Sequence, residues 1–119
     1  MNNIVVNQEE PIQKLLTQKE KNILLNNIPG WEIIHEDSMN KLMRSFTFEN
    51  FSQVLAFTQL IENLAKQENH HPVIKSSWGK VTIYWWTHAI HVIQEKDFQM
   101  AEACNNLYDK ILAEEDLWG

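Results

Sequence analysis

The sequence predicts an α+β domain in which three helices pack on one face of a four-stranded antiparallel sheet. Three segments carry apolar residues at steps of three and four, as amphipathic helices do. Between them lie two pairs of short strand-like segments, and the tight turn inside each pair indicates an antiparallel hairpin. The predicted element order is therefore α-β-β-α-β-β-α, in a chain of 119 residues that suits a single domain.

The first helix and the first hairpin are predicted from the signals at their ends. Thr17-Gln18-Lys19-Glu20 has the pattern of a capping box, and Pro29-Gly30 ends the apolar repeat that follows it. Residues 31–35 then form a strand candidate, residues 37–40 a turn, and residues 41–48 a second strand.

The central helix is the clearest element in the second half of the chain. Asn50 is a candidate N-cap, and Pro72 marks the latest residue at which the helix can end. Residues 73–77 and 81–87 form the second predicted hairpin, and a last helix covers residues 94–115. The predicted apolar stripe of the central helix comprises Phe51, Val54, Leu55, Thr58, Ile61, Leu64 and Ala65.

The last strand alternates in a way that gives both faces of the sheet large side chains. Val81, Ile83 and Trp85 point one way, while Tyr84 and Trp86 point the other. One face is covered by the helices, so the aromatic residues on the other face need a different partner. An open antiparallel sheet often continues into a second subunit, and a homodimer or homotetramer is therefore expected.

Composition excludes several classes of function. A formal net charge of -6 argues against nucleic acid, which needs a basic face. No stretch approaches the roughly 20 apolar residues of a membrane span, and no signal peptide is visible, so a cytoplasmic location is expected. The lone cysteine, Cys104, lies on the apolar stripe of the last helix and is expected to be buried and inert. Residues 1–12 are interpreted as a flexible arm and residues 13–119 as one domain.

The segment with chemical content is Glu68-Asn69-His70-His71-Pro72, followed by Trp78 and by Thr87-His88. Pro72 holds the two adjacent histidines on a rigid corner at the end of the central helix. A hairpin can bring His88 back beside that corner. Three imidazoles in one pocket could supply both an acid and a base near neutral pH, and Trp78 could give the pocket an aromatic wall.

Two other interpretations of these histidines stay open at this point. The His-His pair is equally consistent with a hydrophilic helix end, and His88 with an ordinary residue at the end of a strand. His88 and His91 also have the H-x-x-H form of metal ligands, but on an extended strand they point to opposite faces. No cysteine or carboxylate stands in register with the pair, so no metal is predicted.

The spacing of four short elements resembles the pterin-4a-carbinolamine dehydratase family. They are Asn69-His70-His71-Pro72, Trp78 six residues after the proline, Thr87-His88, and Asp97 nine residues after that histidine. The resemblance covers roughly residues 13–114. Further counterparts are Gly30-Trp31, Phe46-Thr47-Phe48, Phe51 and Ala101.

The resemblance implies a fold, a reaction and a set of roles. The family has a four-stranded sheet with three helices on one face, forms dimers or tetramers, and uses no metal or organic cofactor. It dehydrates 4a-hydroxytetrahydropterin to quinonoid dihydropterin, which recycles the cofactor of aromatic amino acid hydroxylases. By resemblance, His70 and His88 are the acid and base candidates and His71 orients the substrate. The expected substrate-binding residues are Trp78, Glu68 and Thr87, supported by Asp97 and Pro72.

The sequence departs from the family pattern in three places. Lys66 stands where the family commonly has a glutamate, Gln94 stands where a threonine often caps the last helix, and His91 has no assigned role. Animal members also bind a transcription factor, so the alternative is a weakly catalytic member that serves as an interaction module. A zinc-dependent hydrolase is the third hypothesis.

Overall fold

The computed structural model describes residues 15–118, with side chains described for residues 15–114; the interpretation of residues 1–12 as an arm lies outside this range. The helices are α1 (Gln18–Leu25), α2 (Phe51–Glu68) and α3 (Glu95–Trp118). The strands are β1 (Glu32–Glu36), β2 (Met39–Thr47), β3 (Val73–Ser77) and β4 (Lys80–Trp85). The order α-β-β-α-β-β-α and the α+β class are confirmed.

The four strands form one antiparallel sheet in the order β1-β2-β4-β3. The first hairpin is tighter than predicted, because only Asp37 and Ser38 separate its strands. Both residues have positive φ angles, of 54° and 62°, which is the backbone of a two-residue hairpin turn. The last strand ends at Trp85 rather than at residue 87, so Thr87 and His88 belong to the loop that follows β4.

The predicted helix caps are confirmed by their hydrogen bonds. The Thr17 hydroxyl accepts from the Glu20 backbone N–H at 3.1 Å, and the Glu20 carboxylate accepts from the Thr17 N–H at 2.9 Å. Asn50 caps α2 by accepting from the Gln53 N–H at 2.8 Å. At the other end of α2, Asn69 takes a left-handed conformation with a φ of 51° and stops the helix one residue before the histidine pair.

One hydrophobic core lies between the sheet and the helices. Leu42, Phe46 and Trp85 of the sheet are fully buried in it, as is Phe57 of α2. The predicted stripe of α2 is partly wrong, because Phe51 and Leu55 are more than half exposed and Phe57 was omitted. The buried positions follow steps of four through Gln53, Phe57, Ile61 and Ala65. Phe51 and Leu55 stand two residues from these positions, about 200° around the helix, and so face away from the core.

The outer face of the sheet carries its aromatic residues under lysine side chains. Tyr84 and Trp86 are each only 8% exposed. The Lys75 ammonium lies 5.0 Å from the ring centroid of Tyr84, and the Lys41 ammonium lies 4.5 Å from that of Trp86. The alkyl stems of lysines can cover apolar surface in this way while the charged ends interact with the rings. Within the described residues, no helix is long and apolar enough to cross a bilayer.

Candidate active site

The histidine cluster forms where four elements meet at one end of the sheet. His70 and His71 lie between α2 and β3, while Thr87 and His88 follow β4. Because Val73 at the start of β3 pairs with Tyr84 near the end of β4, the antiparallel register brings the two segments together. The first turn of α3 reaches the same place, and the structure therefore gathers the predicted histidines at one corner.

Asp97 connects this corner to α3. Its side chain is fully buried and accepts three hydrogen bonds from different parts of the chain. The His70 Nε2 lies 2.6 Å from Oδ1, while the Thr87 hydroxyl and the Gln94 backbone N–H each donate to Oδ2 at 2.8 Å. A buried carboxylate is stable only with such partners, so Asp97 fixes these three groups relative to one another.

The bond to Asp97 determines which nitrogen of His70 is available for chemistry. Since a carboxylate only accepts, Nε2 carries the hydrogen and Nδ1 is the nitrogen that can exchange a proton with a ligand. The ring is also stacked on Trp85, with 5.6 Å between centroids and 13° between planes. His70 is thus held both at its edge and on its face.

His88 is held by the neighbouring tryptophan. Its imidazole is stacked on Trp86 at a centroid distance of 4.2 Å and an interplanar angle of 2°. Although the residue as a whole is exposed, burial of the ring lowers the pKa of His88, and the nearby charge of His70 lowers it further. The Asp97 charge and a hydrogen bond to the His71 backbone act in the opposite direction without reversing the shift. His88 is therefore neutral at pH 7 and can accept a proton.

The lowered pKa of His88 predicts how stability depends on pH. As the pH falls, the unfolded chain takes up a proton at this residue before the folded chain does. The free energy of unfolding is therefore expected to decrease from about pH 6.5 downward, through the pKa of folded His88. Urea unfolding of the wild type and His88→Gln at several pH values measures this, and the variant should show a flatter dependence. His91→Gln is the control, and an equal slope in His88→Gln and wild type would contradict the prediction.

Glu68 and Lys66, which the sequence placed near the site, point in different directions. Glu68 ends α2 and forms an ion pair with Lys96 on α3, next to Asp97 along the chain. This pair joins the end of α2 to α3, and the His70–Asp97 bond joins the segment just after α2 to the same helix. Lys66 is 70% exposed and lies 3.7 Å from Glu62 on its own helix. The departure at position 66 therefore leaves the contacts among the histidines unchanged.

The structure does not bring Trp78 to the histidines of its own chain. Trp78 lies in the two-residue turn between β3 and β4 and is 73% exposed. Five residues of β3 separate that turn from the histidine corner, a distance of about 17 Å. Trp85 and Trp86 supply the aromatic surfaces at the site instead. Their position directly before Thr87-His88, with side chains on opposite faces, was the sequence signal for this role.

The loop after β4 is closed by its own backbone. The Thr87 N–H donates to the Val92 carbonyl at 2.9 Å, and His91 turns the chain with a positive φ of 57°. His91 is exposed, as expected for a residue with no assigned role. Gln94 stands at the start of α3, and its backbone N–H donates to the carboxylate of Asp97, which is the half of a capping box that needs no threonine.

The remaining candidates for chemistry lie apart from the corner. Among residues 15–114, no group of three or more His, Cys, Asp or Glu side chains is arranged to hold a metal ion. Cys104 is buried, and burial raises the pKa of its thiol to about 12, so it is not a nucleophile at neutral pH.

Comparison with known proteins identifies the family of this chain. A family model described as pterin 4 alpha carbinolamine dehydratase matches residues 14–107. The chain belongs to this family. A relative from Chlorobium luteolum, provisionally named as a pterin-4-alpha-carbinolamine dehydratase, is 43% identical over 81% of this chain and 84% of its own length. A relative from Marinobacter nauticus with the same provisional name is 45% identical over 78% of this chain and 84% of its own length.

Two solved structures share the fold of this dehydratase family member. A transcriptional coactivator/pterin dehydratase from Brucella melitensis is similar over 80% of this chain and 99% of its own, with a TM-score of 0.72 and 28% identity. A pterin dehydratase-like protein identified as a RuBisCO assembly factor in the alpha-carboxysome covers 69% of this chain and 93% of its own. Its TM-score is 0.58 at 19% identity, a likeness of fold.

Proposed function

We propose that this protein is a 4a-hydroxytetrahydrobiopterin dehydratase, which converts the pterin carbinolamine to quinonoid dihydropterin and water. The observation that carries the proposal is the Asp97-bound His70, placed at one corner with His71 and His88 in a chain of this family. In this role the protein recycles the pterin of an aromatic amino acid hydroxylase in the cytoplasm, as a homodimer or homotetramer.

The reaction needs two proton transfers that balance each other. One histidine, in its charged form, gives a proton to the 4a-hydroxyl, and the C–O bond breaks to release water. A neutral histidine takes a proton from a ring N–H of the pterin, and the electron pair forms the new double bond. Each positioned transfer is typically worth about 10²–10⁴-fold in rate. The two imidazoles return to their starting states by exchanging a proton through solvent.

We assign these two roles to His70 and His88. The neutral His88 suits the base, and the Nδ1 of His70 is the nitrogen from which a proton can be delivered. His71 is exposed beside them and is assigned to orienting the pterin. The Thr87 hydroxyl already donates to Asp97, so a contact with substrate would use its acceptor lone pairs.

We also propose roles for Pro72, Glu68 and Trp78 from the family resemblance, adjusted to the contacts that each residue makes. Pro72 holds the corner after the histidine pair. Glu68 is engaged by Lys96 and would bind substrate with its second carboxylate oxygen. Trp78 could contact a pterin only in a partner subunit, since it lies at the far end of its own hairpin.

The alternative function is a protein-interaction module. Two apolar side chains of α2, Phe51 and Leu55, are 51% and 56% exposed on the side away from the core. Such residues favour contact with another protein. The similar Brucella protein is described as both a transcriptional coactivator and a pterin dehydratase, so the two functions are compatible with one fold.

A stopped-flow assay with freshly generated 4a-hydroxytetrahydropterin distinguishes these functions. The wild type is expected to accelerate dehydration well above the spontaneous rate, by about 10²-fold or more at saturation. Lys66→Glu is expected to stay within about threefold of the wild type, because Lys66 points away from the histidines. No acceleration by the wild type would favour the interaction module. Stoichiometric zinc in the purified protein, with activity lost on chelation, would favour the hydrolase.

A further inference from the structure

Two consecutive tryptophans each support one histidine of the site. Trp85 points into the core and stacks on His70, whereas Trp86 points to the outer face and stacks on His88. The second stack is the closer and flatter of the two, at 4.2 Å and 2°. His70 is further held by Asp97 at 2.6 Å, while His88 has the face contact with Trp86 and a hydrogen bond with the His71 backbone.

Trp86 is itself fixed by a buried lysine. Leu42 pairs with Trp85 in the sheet, which puts Lys41 beside Trp86 on the outer face. The Lys41 ammonium lies 4.5 Å from the centroid of the indole, and its side chain is only 6% exposed. A buried ammonium over an aromatic face interacts more strongly than an exposed one, because water does not compete.

Two carboxylates in turn hold Lys41 over the indole. Glu36 lies 3.2 Å and Asp37 3.1 Å from the ammonium. Burial alone would lower the pKa of Lys41, but the hydrogen bonds to Asp37 and Glu36 outweigh burial and the pKa is raised. Lys41 therefore remains charged throughout the working pH range, and the contact with Trp86 persists.

We propose that Trp86, anchored by Lys41, is a positioning residue that holds the His88 imidazole in the orientation needed for proton transfer. This inference rests on the proposed dehydratase function. The stack restricts rotation of the ring about both side-chain torsions. One edge of the imidazole forms a hydrogen bond with the His71 backbone, and we assign the other edge to the substrate.

The stack with Trp86 also affects the solvent exposure and the pKa of the His88 imidazole. The groups that face the imidazole are His70, His71 and Asp97 from the corner, and Lys41 with Glu36 and Asp37 beyond the indole. Removing the indole would open one face of the ring to water. Since burial is the largest cause of the lowered pKa of His88, that pKa should rise toward its ordinary value.

The test compares Trp86→Ala with a matched change two residues earlier in the chain. Tyr84 lies on the same face, is equally buried at 8%, and also carries a lysine over its ring. Trp86→Ala is expected to lower kcat about tenfold with little change in KM, and Trp86→Phe to restore most of it. Tyr84→Ala should leave kcat within about twofold, although it removes a similar aromatic contact.

Nuclear magnetic resonance of the His88 ring protons gives a readout independent of turnover. In the wild type the indole should shift these signals upfield, and their titration should report the lowered pKa. Trp86→Ala should remove the upfield shift and raise the pKa, whereas Tyr84→Ala should do neither. Lys41→Met should loosen the stack and move the signals partway, with Lys75→Met as its control.

Each outcome decides the inference. If the His88 signals and pKa in Trp86→Ala match the wild type, or if Tyr84→Ala reproduces every effect, Trp86 has no positioning role. If the wild type lacks dehydratase activity but Trp86→Ala changes the His88 ring signals and pKa as expected, the proposed reaction is wrong while Trp86 still holds the His88 ring. If Trp86→Ala unfolds, judged by circular dichroism, the folded Trp86→Phe and Trp86→Leu pair gives the same comparison of aromatic with aliphatic support.

Discussion

Replacing Asp97 by asparagine is expected to lower kcat by about 10²-fold and the free energy of unfolding by about 1–3 kcal/mol. The carboxylate accepts from His70, Thr87 and the Gln94 N–H, and an amide offers a single acceptor oxygen in the same space. At least one donor must then face the amide NH₂ group. A turned His70 would no longer present Nδ1 to the substrate. Single-turnover rates and urea unfolding measure the two effects.

Two further variants serve as controls for Asp97→Asn, one at another acidic residue of α3 and one at a hydrogen-bond donor to Asp97. Asp109→Asn removes an exposed carboxylate from the same helix and should change neither quantity. Thr87→Val removes one of the three donors while leaving the carboxylate in place, so its loss of rate should be smaller than that of Asp97→Asn. Equal rates for Asp97→Asn and the wild type would show that orientation of His70 by Asp97 is unimportant for the reaction.

The second large effect is expected from the histidines themselves. His70→Ala and His88→Ala should each lower the dehydration rate by about 10²-fold, because each removes one positioned proton transfer. The double variant should approach the spontaneous rate. His70→Gln keeps a donor for Asp97, and so tests the loss of the imidazole without leaving the buried carboxylate short of a partner.

The control for both substitutions is the pair of histidines that lie elsewhere on the surface. His35→Ala and His91→Ala remove exposed imidazoles that take no part in the Asp97 network, and their rates should equal that of the wild type. If His70→Ala and His88→Ala each retain a rate within about threefold of the wild type, the acid and base assignment is wrong.

The helix caps and the hairpins could be predicted from sequence because the contacts that form them are local. Thr17 and Asn50 satisfy nearby backbone groups, and these contacts span three residues. Hairpin partners are also close in sequence, so both hairpins followed from local patterns. The buried face of α2 was harder to predict from sequence. This helix carries apolar side chains on two faces, and only the packing shows which face is buried.

The candidate site was predictable where its parts are local and not where they are distant. The spacing of His70, His71, Thr87 and His88 places them at one end of a hairpin. By contrast, the contact between Lys41 and Trp86 could not be predicted from sequence, because it depends on the pairing of β2 with β4, two strands separated along the chain by α2 and β3. Trp78 was assigned to the site as an aromatic wall beside the histidines and again from family spacing, but the length of β3 places it at the other end of the hairpin.

The layout of Asp97 and the histidines has a consequence for how this protein could diverge. Every residue in the Asp97 network lies between His70 and Asp97, in one continuous stretch of chain that contains a single hairpin. Residues 15–47 contribute core packing and the Lys41 contact. The groups that contact Asp97 are therefore encoded in one segment of the chain. Substitutions in α1 could change the exterior of the protein for new associations while this network is retained, whereas Glu36 of β1 and Lys41 of β2 stay tied to the site through Trp86.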